Sequence, residues 1–315
     1  KIAAIAQLCS TSNKLQNLYN IAKCAGWAKS RGASMLFLPE CFGFIGSSAK
    51  ETLENAEMIN EESSDTRTSI VENLISEQWC QSLEDVVAKC SSDSQNNYDI
   101  STTRKDNEGE GNDDDRKNVN EHVSILEGLR VIARKSGLYI SGGGMHELGA
   151  PPKLGEERTR VYNTHIILND QGEIVAKYRK IHLFDVSIPS QGINLCESDT
   201  TAPGSTLVVC DSPIGKLGLS TCYDLRFPEM FHDLVETGGA DILLVPSAFT
   251  VPTGKAHWHT LLKARAIENQ CYVLAAAQYG EHNQKRKSYG HAIGIDPFGD
   301  IICDAGGYDT TNIKG

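Results

Sequence analysis

Short, uninterrupted apolar runs that alternate with amphipathic stretches are the feature that most constrains how this chain can fold. Met35–Leu38 and Ile242–Pro246 are apolar throughout, as expected for strands buried on both faces. Asn13–Arg31 and His257–Asn269 instead repeat apolar residues at helical spacing. Sheets whose two faces are both buried need helices to cover them. We therefore predict an α/β fold in a single domain that covers residues 1–315.

Turn and strand signals extend this pattern along the chain. Asp170–Gly172 separates two strand-like runs, Tyr162–Asn169 and Glu173–Arg179, and predicts a β-hairpin. Further strands are predicted at Lys1–Gln7, Leu138–Gly142, Leu207–Cys210, Lys216–Leu219, Cys271–Gln278, His291–Ile295 and Ile301–Cys303. Further helices are predicted at Val119–Ser136 and Glu229–Glu236.

The acidic charge of the chain is concentrated in one segment. The net charge is −11, but Glu61–Glu121 alone holds 16 acidic and 6 basic residues, which leaves 25 and 24 for the rest. Polar runs such as 91–97 and 107–115 bury too little apolar surface to offset chain entropy. We predict an acidic, partly disordered insertion at about 60–118, with a helix at Val71–Cys90. No basic stripe with interleaved aromatic residues appears, which argues against a nucleic-acid partner.

Cysteine spacing and hydropathy exclude other classes of protein. The ten cysteines are scattered without a CxxC pair, which argues for reduced thiols rather than a disulfide framework or a zinc site. No apolar run approaches the ~20 residues that a membrane-spanning helix requires. The chain opens at Lys1 without a basic-then-apolar leader. We expect a cytoplasmic protein, and also a mitochondrial one if a leader lies upstream of Lys1.

A single cysteine lies where a predicted strand turns into a predicted helix. Cys222 follows the run Lys216–Leu219 and precedes the helix-like segment Glu229–Glu236. A thiol at such a turn can lie exposed above the sheet end, where backbone N–H groups and the helix dipole favour the thiolate. The alternative is a buried cysteine that packs as a small hydrophobic residue. The local pattern alone leaves both interpretations open.

Two charged residues, Glu40 and Lys180, also lie at the ends of predicted strands. Glu40 closes the apolar strand Met35–Leu38, and its apolar surroundings would raise its pKa towards the range of a general base. A carboxylate that caps a helix or turn is the alternative. Lys180 follows the predicted strand Glu173–Arg179, and it could equally be an ordinary solvated lysine.

Three segments together resemble the signatures of the nitrilase (carbon–nitrogen hydrolase) superfamily, and they occur in the same order. These segments are Leu38–Glu40, Tyr178–Phe184 and Cys222–Glu229. The resemblance covers the chain apart from the acidic insertion. It implies a four-layer αββα sandwich and a catalytic triad of Glu40, Lys180 and Cys222.

The resemblance also implies the catalytic role of each residue in this triad. Glu40 would take the thiol proton, Cys222 would attack an amide carbonyl, and Lys180 would stabilise the oxyanion together with the backbone N–H of Tyr223. A further glutamate of the family corresponds to Glu197, which would position Lys180. This chemistry requires no metal and no other cofactor.

The C-terminal half narrows the resemblance to the deaminated glutathione amidases, a branch that includes the Nit half of invertebrate Nit–Fhit fusion proteins. The matching segments are Pro246–Phe249, Gly254–Trp258, Lys263–Val273, Ala275–Gln278 and Lys285–His291. The resemblance implies hydrolysis of deaminated glutathione to 2-oxoglutarate and cysteinylglycine. One alternative is an ω-amidase that acts on 2-oxoglutaramate or another small anionic amide. An acyl transferase and a non-catalytic interaction protein on the same fold are the alternatives from other classes.

Such a substrate carries carboxylates, which cationic side chains can bind. Arg226, Lys255 and Arg286 lie in or near the matching segments. We expect Arg226 to pair with a substrate carboxylate, with a structural salt bridge to Asp224 or Glu229 as the alternative. Phe249 and His257 are further candidate substrate-binding residues.

A metal site is not predicted. His257 and His259 flank a tryptophan, but neither a carboxylate nor a third histidine lies at a suitable spacing in the sequence.

The chain departs from the family pattern in two places, the acidic insertion and the C-terminal end. The acidic insertion falls in a region that elsewhere lines the substrate entrance, so it could reshape specificity or simply loop out. We also expect that the final strand and tail of the family are missing after Gly315. Because those elements contribute to dimer contacts, we expect the intact protein to be a homodimer or a higher homo-oligomer. A Fhit-like domain could lie outside the chain. No membrane partner is expected.

Overall fold

Two β-sheets that face each other, each with helices on its outer face, form the body of this computed structural model. The structure describes residues 1–59, 123–156, 158–188 and 193–308. The predicted acidic insertion and the predicted helix at Val71–Cys90 lie outside these ranges. Among the helices within them, none combines the length and the apolar character needed to cross a membrane.

The described elements follow one another in a mixed α/β order. The strands are β1 (Ala3–Ile5), β2 (Gln7–Leu8), β3 (Met35–Leu38), β4 (Tyr139–Ala150), β5 (Arg160–Leu168), β6 (Ile174–Arg179), β7 (Asp185–Ile188), β8 (Ile193–Cys196), β9 (Val209–Asp211), β10 (Lys216–Leu219), β11 (Ile242–Leu244), β12 (Tyr272–Ala275), β13 (Ala277–Glu281), β14 (Lys287–Tyr289), β15 (Ile293–Ile295) and β16 (Ile301–Asp304). The α-helices are α1 (Lys14–Ser30), α2 (Ala49–Glu54), α3 (Ile125–Ser136), α4 (Pro228–Glu236) and α5 (Val251–Asn269).

The first sheet combines parallel and antiparallel strands in the order β1-β3-β4-β5-β6. β1, β3 and β4 are parallel, with Ala3 opposite Met35 and Met35 opposite Tyr139. β5 is antiparallel to both β4 and β6, and β5–β6 is the predicted hairpin. Because β5 is antiparallel to both of its neighbours, β6 runs in the same direction as β4 and β3. The carboxyl ends of β3 and β6 therefore lie at the same edge of the sheet.

The second sheet has the order β16-β15-β12-β11-β10-β9. Its centre is parallel, since β11 pairs in parallel with both β10 and β12. β9, β15 and β16 add antiparallel pairs at its two sides. A smaller sheet, β14-β13-β2, pairs Ala277 with Gln7 and so connects the two ends of the chain. β7 and β8 form a separate two-stranded sheet.

Alternating side chains of β3 show how the layers stack. Met35 and Phe37 belong to the core shared with the second sheet and its helices α4 and α5. Leu36 and Leu38 belong to the other core, with α1 and α3. Successive strand residues point to opposite faces, so β3 is covered by a sheet on one side and by helices on the other. The predicted αββα sandwich is confirmed.

The predicted helix boundaries agree with the structure at some helix ends and differ at others. α3 begins at Ile125, after its N-cap Ser124, rather than at the predicted Val119. Asn13 caps α1, its side chain accepting a hydrogen bond from Gln16 N at 3.0 Å. α3 ends at Gly137, which adopts a left-handed conformation with φ 61°. α5 begins at Val251 rather than at the predicted His257. Its first turn contains Pro252 and Gly254, whose low helix propensity concealed it.

Three strand predictions differ from the structure. The predicted strand Lys1–Gln7 is wrong as a single element, because the chain leaves the first sheet after β1 and pairs β2 with β13. The predicted strand Leu138–Gly142 continues through three glycines to Ala150 as β4. The predicted strand Cys271–Gln278 is wrong as a single element, because the chain leaves the second sheet after β12 and pairs β13 with β2 instead. Ala276 lies at this crossing point and accepts a hydrogen bond from Ser247 N at 2.9 Å.

The glycines of β4 allow the two sheets to approach each other closely. A Cβ atom on Gly143 would lie 2.2 Å from both Leu38 O and Pro246 Cβ. Gly144 O also accepts a hydrogen bond from Cys41 N at 2.9 Å. Leu38 lies in β3 of the same sheet, whereas Pro246 follows β11 of the second sheet. A residue larger than glycine at position 143 would therefore clash with the second sheet and also with the backbone of the neighbouring strand, which cannot move aside as a side-chain tip can.

We predict that Gly143→Ala lowers the free energy of unfolding by about 1–3 kcal/mol, the usual cost of overpacking. Urea denaturation measures this loss. Gly218→Ala is the matched control, since its Cβ would meet only side-chain atoms at 3.1 Å or more. Equal losses in the two variants would contradict the proposed backbone clash.

Candidate active site

The carboxyl ends of three strands bring Glu40, Lys180 and Cys222 together. Glu40 follows β3, Lys180 directly follows β6, and Cys222 opens a short 3-10 turn (Cys222–Arg226) after β10. Glu40 and Lys180 are 4% and 2% exposed. The structure thus brings the three predicted site residues to one point between the facing sheets.

The Lys180 ammonium group lies between two carboxylates. Its Nζ atom is 3.1 Å from Glu40 Oε1 and 2.9 Å from Glu197 Oε2. Glu197 also accepts a hydrogen bond from Phe184 N at 2.7 Å, which fixes its carboxylate. A buried charge is costly unless it is paired and hydrogen-bonded, and here the two carboxylates supply that pairing. The predicted contact of Glu197 with Lys180 is present.

Glu40 has three further partners that the sequence did not indicate. Asn163 Nδ2 donates to Glu40 Oε1 at 2.8 Å, and Ala248 N donates to Glu40 Oε2 at 3.0 Å. Gln278 Nε2 donates to the backbone oxygen of Glu40 at 3.0 Å. These donors come from β5, the loop after β11, and β13. The Glu40 carboxylate is therefore held in one orientation from several elements.

The backbone at Cys222 is strained in the way that functional turns often are. Its φ is 53°, a left-handed value that side chains other than glycine rarely adopt. Cys222 N donates to Pro246 O at 2.9 Å. The next N–H, that of Tyr223, is the second of the turn and so has no acceptor within it. A charged oxygen near the thiol could accept this hydrogen bond.

Asp224 connects the cysteine turn to the segment that carries Lys180. Its carboxylate is completely buried and accepts hydrogen bonds from Thr221 N at 2.8 Å and Tyr178 Oη at 2.7 Å. It also accepts from His182 N at 2.9 Å. Tyr178 and His182 flank Lys180 in the sequence, so one carboxylate sets the distance between the two segments. Asp224 was not predicted as a positioning residue.

The predicted pKa shift of Glu40 is wrong in direction. Burial alone would raise the pKa of this carboxyl, as expected from the sequence, but the charge of Lys180, a hydrogen bond with Cys222 and the charge of Arg286 lower it below its ordinary value. Glu40 is therefore a carboxylate at neutral pH. The apolar neighbours were visible in the sequence, whereas the buried ammonium beside them was not.

The thiol of Cys222 shows the opposite shift. Burial and the negative charge of Glu40 raise its pKa well above the ordinary value of 9.0, although Lys180 and a hydrogen bond from Ala248 N lower it. The expectation of an exposed, stabilised thiolate is wrong, because Cys222 is only partly exposed and faces a carboxylate. Burial lowers the pKa of Lys180, but Glu197 and Glu40 raise it well above its ordinary value. The resting site holds a neutral thiol beside a carboxylate that is paired with an ammonium group.

The other predicted binding residues lie close to the cysteine turn. Arg226 Nη2 is 3.2 Å from His257 Nδ1, and its guanidinium carbon is 5.7 Å from the centre of the Tyr223 ring. In the described residues Arg226 forms no salt bridge with Asp224 or Glu229, so that alternative does not hold there.

Phe249 and His257 differ in their surroundings. Phe249 is buried, with its ring centre 4.8 Å from that of Trp258, while His257 is exposed on α5. Binding of substrate by Phe249, His257 or Arg226 stays a prediction.

Arg286 is a cation that the structure directs towards the site. It lies in the loop between β13 and β14 and is half-buried. Its charge acts on the side chains of Cys41, Glu40 and Cys222. Glu40 forms its salt bridge with Lys180 rather than with Arg286. In the sequence, Arg286 is only a cation in one of the segments that resemble the family. Its position near the site depends on the fold, in which β13, the strand before its loop, pairs with β2.

The fold and this constellation are those of an αββα hydrolase, and comparison with known proteins identifies the family. The sequence model of the family described as carbon-nitrogen hydrolase matches residues 110–313. The chain is 37% identical to the deaminated glutathione amidase of Homo sapiens over 96% of this chain and 72% of that protein. It is 51% identical to the deaminated glutathione amidase of Dictyostelium discoideum over 61% of this chain and 64% of that protein.

A solved structure leads to the same family. The crystal structure of the Caenorhabditis elegans NitFhit protein superimposes with a TM-score of 0.67 at 33% identity, covering 96% of this chain and 57% of that one. The chain belongs to the carbon–nitrogen hydrolase family of the nitrilase superfamily. It spans a little over half of the NitFhit chain and less than two thirds of the Dictyostelium relative that it matches.

We predict that Glu40→Gln lowers the pKa of the Cys222 thiol. The substitution removes the negative charge that raises this pKa and keeps the Lys180 charge that lowers it. The pH dependence of thiolate absorbance and of alkylation by iodoacetamide measures the titration midpoint, with Cys222→Ala as the background. Glu229→Gln, an exposed carboxylate outside the site, is the matched control. An unchanged or higher midpoint in Glu40→Gln would show that the two side chains are not coupled.

Proposed function

We propose that this protein hydrolyses an amide bond through a thioester on Cys222. One observation carries this proposal: a charged carboxylate, Glu40, contacts both the neutral thiol of Cys222 and the ammonium group of Lys180. A carboxylate beside a thiol can act as its general base. An ammonium group at the same point can stabilise the negative charge that then develops on the substrate.

Acylation moves one proton through Glu40. Glu40 takes the thiol proton while the sulfur of Cys222 attacks the carbonyl carbon, and the π electrons move onto the carbonyl oxygen. Lys180 and the N–H of Tyr223 stabilise this oxyanion. The tetrahedral intermediate collapses, the carbon–nitrogen bond breaks, and Glu40 returns its proton to the leaving nitrogen.

Deacylation uses the same groups a second time. Glu40 takes a proton from water as the water oxygen attacks the thioester carbon, and the carbon–sulfur bond breaks when the intermediate collapses. The sulfur regains a proton from Glu40, which restores the resting site. Glu197 acts by holding Lys180 at 2.9 Å, so it is a positioning residue in this scheme.

We propose deaminated glutathione as the substrate, with 2-oxoglutarate and cysteinylglycine as products. The names of the similar amidases from Homo sapiens and Dictyostelium discoideum support this choice. An ω-amidase activity on 2-oxoglutaramate is the second candidate, because the same triad could serve both substrates. An acyl transferase would use the same thioester, and a non-catalytic interaction protein would not use it.

Side-by-side assays with deaminated glutathione and 2-oxoglutaramate test this proposal. We expect the wild type to have the higher kcat/KM for deaminated glutathione, and we expect Cys222→Ala to lose about 10⁴-fold or more in kcat, as removal of a nucleophile does. Cys24→Ala, a thiol on α1, is the matched control and should retain activity. Activity that survives in Cys222→Ala would refute the mechanism, and preference for 2-oxoglutaramate would refute the substrate.

We further propose that Arg286, rather than Arg226 alone, binds a substrate carboxylate. Arg286 reaches the carboxylate and the thiol of the site through its charge, whereas Arg226 interacts with His257 and the Tyr223 ring. A guanidinium group suits a carboxylate because it can donate two parallel hydrogen bonds. An anionic amide bound in this way would present its carbonyl near Cys222.

For Arg286→Met, we expect kcat/KM for the anionic substrate to fall about 10- to 100-fold, since a hydrogen-bonded charge pair is lost. The same amide with a carboxamide in place of its carboxylate should lose less, which separates recognition from an effect on Glu40. Arg226→Lys is the comparison variant. An equal loss for the charged and the neutral amide would contradict carboxylate binding by Arg286.

We also propose that the protein associates with itself through an exposed apolar surface. Exposed apolar side chains at the end of α5 and around β16 support self-association, because large apolar patches often mark interfaces; they are Ile267, Tyr272, Phe298, Ile301 and Ile302. We propose a homodimer or a higher homo-oligomer that is located in the cytoplasm, and also in mitochondria if a leader lies upstream of Lys1. The similar NitFhit proteins support a Fhit-like fusion partner as a further proposal.

A further inference from the structure

A group of metal-ligating side chains converges at the edge of the second sheet. His259 lies on α5, His291 lies between β14 and β15, and Asp304 ends β16. One ligand atom from each lies within 4.8 Å of the others. These side chains are 31%, 21% and 25% exposed, so an ion could reach them from solvent.

One carboxylate oxygen is the shared vertex of this group. Asp304 Oδ2 is 3.1 Å from His259 Nε2 and 3.0 Å from His291 Nδ1. Ligand atoms at about 2.0–2.1 Å from a tetrahedral zinc ion are separated by roughly 3.3 Å. The two oxygen–nitrogen distances are already close to this separation, and the two imidazole nitrogens lie within 4.8 Å of each other. An ion held by the three atoms would keep a fourth position for water.

The surrounding backbone holds these ligands in place. Gly306 N donates to Asp304 Oδ1 at 2.8 Å and so fixes the carboxylate, whose two oxygens lie 2.9 and 3.0 Å from His291 Nδ1. His291 has a left-handed backbone with φ 57°, and its N–H donates to Gly306 O at 2.9 Å. A Cβ atom on Gly307 would lie 2.1 Å from His291 Nε2. Only glycine fits there, and its backbone covers Nε2, so Nδ1 is the nitrogen that faces the carboxylate.

The donor atoms of this group fit a transition-metal ion. Imidazole nitrogens and a carboxylate oxygen are ligands that zinc accepts, and a catalytic or open tetrahedral site has three such ligands with water in the fourth position.

We propose that His259, His291 and Asp304 form a binding site for a zinc ion or a similar transition-metal ion. The ion would link α5 to the strands β15 and β16, so its role would be to stabilise this edge of the fold. Within the part of the chain that the structure describes, no hydrogen bond or ion pair joins these three side chains to Glu40, Lys180 or Cys222. The proposed ion therefore takes no part in the proposed hydrolysis. The sequence does not reveal this site, because its ligands are far apart in the chain.

Titration with zinc chloride tests the proposal directly. We expect wild type to bind one zinc ion at this site and to melt at a higher temperature when zinc is added. His259→Ala and His291→Ala should each weaken binding about 10- to 100-fold and reduce the rise in Tm. His232→Ala, an exposed histidine on α4 outside the group, is the matched control and should bind as wild type does.

Cobalt absorption distinguishes this site from the thiols of the chain. Cobalt bound to His259, His291 and Asp304 should give ligand-field bands without the charge-transfer band of a cobalt–sulfur bond. Zinc affinity that is unchanged in both histidine variants would overturn the proposal. Binding that appears only with the sulfur charge-transfer band would also overturn it, as would an absence of zinc binding, since the three side chains would then form only a hydrogen-bonded cluster.

Discussion

The ion pair network around the buried ammonium of Lys180 is the interaction on which the arrangement of the site depends. Moving an ion out of water costs several kcal/mol, and at 2% exposure Lys180 has little water to compensate. Glu40 and Glu197 compensate instead, at 3.1 and 2.9 Å. Removal of either carboxylate would leave a buried charge with half of its pairing. The network therefore fixes the end of β6 relative to the end of β3 and to the segment that follows β8.

Asp224 extends this constraint to the second sheet. Its single buried carboxylate accepts hydrogen bonds from the cysteine turn through Thr221 N and from the Lys180 segment through Tyr178 and His182. Two carboxylates, Glu40 and Asp224, thus join the same two segments from different sides. Cys222 lies beside these contacts with a left-handed backbone, a conformation that persists only where the surrounding structure supports it.

The strands and the three central residues could be predicted from the sequence because their signals are local. The apolar run Met35–Leu38 alone predicts a buried strand. The residue types and their order around Cys222 are sufficient to recognise the motif. The roles of Arg286 and Asp304 depend on pairings between distant strands, which leave no periodic signal. The pKa direction of Glu40 was wrong for a related reason. Its apolar neighbours are adjacent in the chain, but Lys180 is 140 residues away.

The distribution of charge suggests why attack and proton transfer occur together in the proposed reaction. A carboxyl with a lowered pKa is a weak base, and a thiol with a raised pKa is a weak acid, so transfer between them alone is unfavourable. When Glu40 takes the proton, Lys180 loses one of its negative partners. The oxyanion formed at the same moment replaces that partner. The ammonium group therefore stabilises the transition state, in which the oxyanion is forming, more strongly than it stabilises a Cys222 thiolate formed in the absence of substrate. A reaction is accelerated by this preference for the transition state.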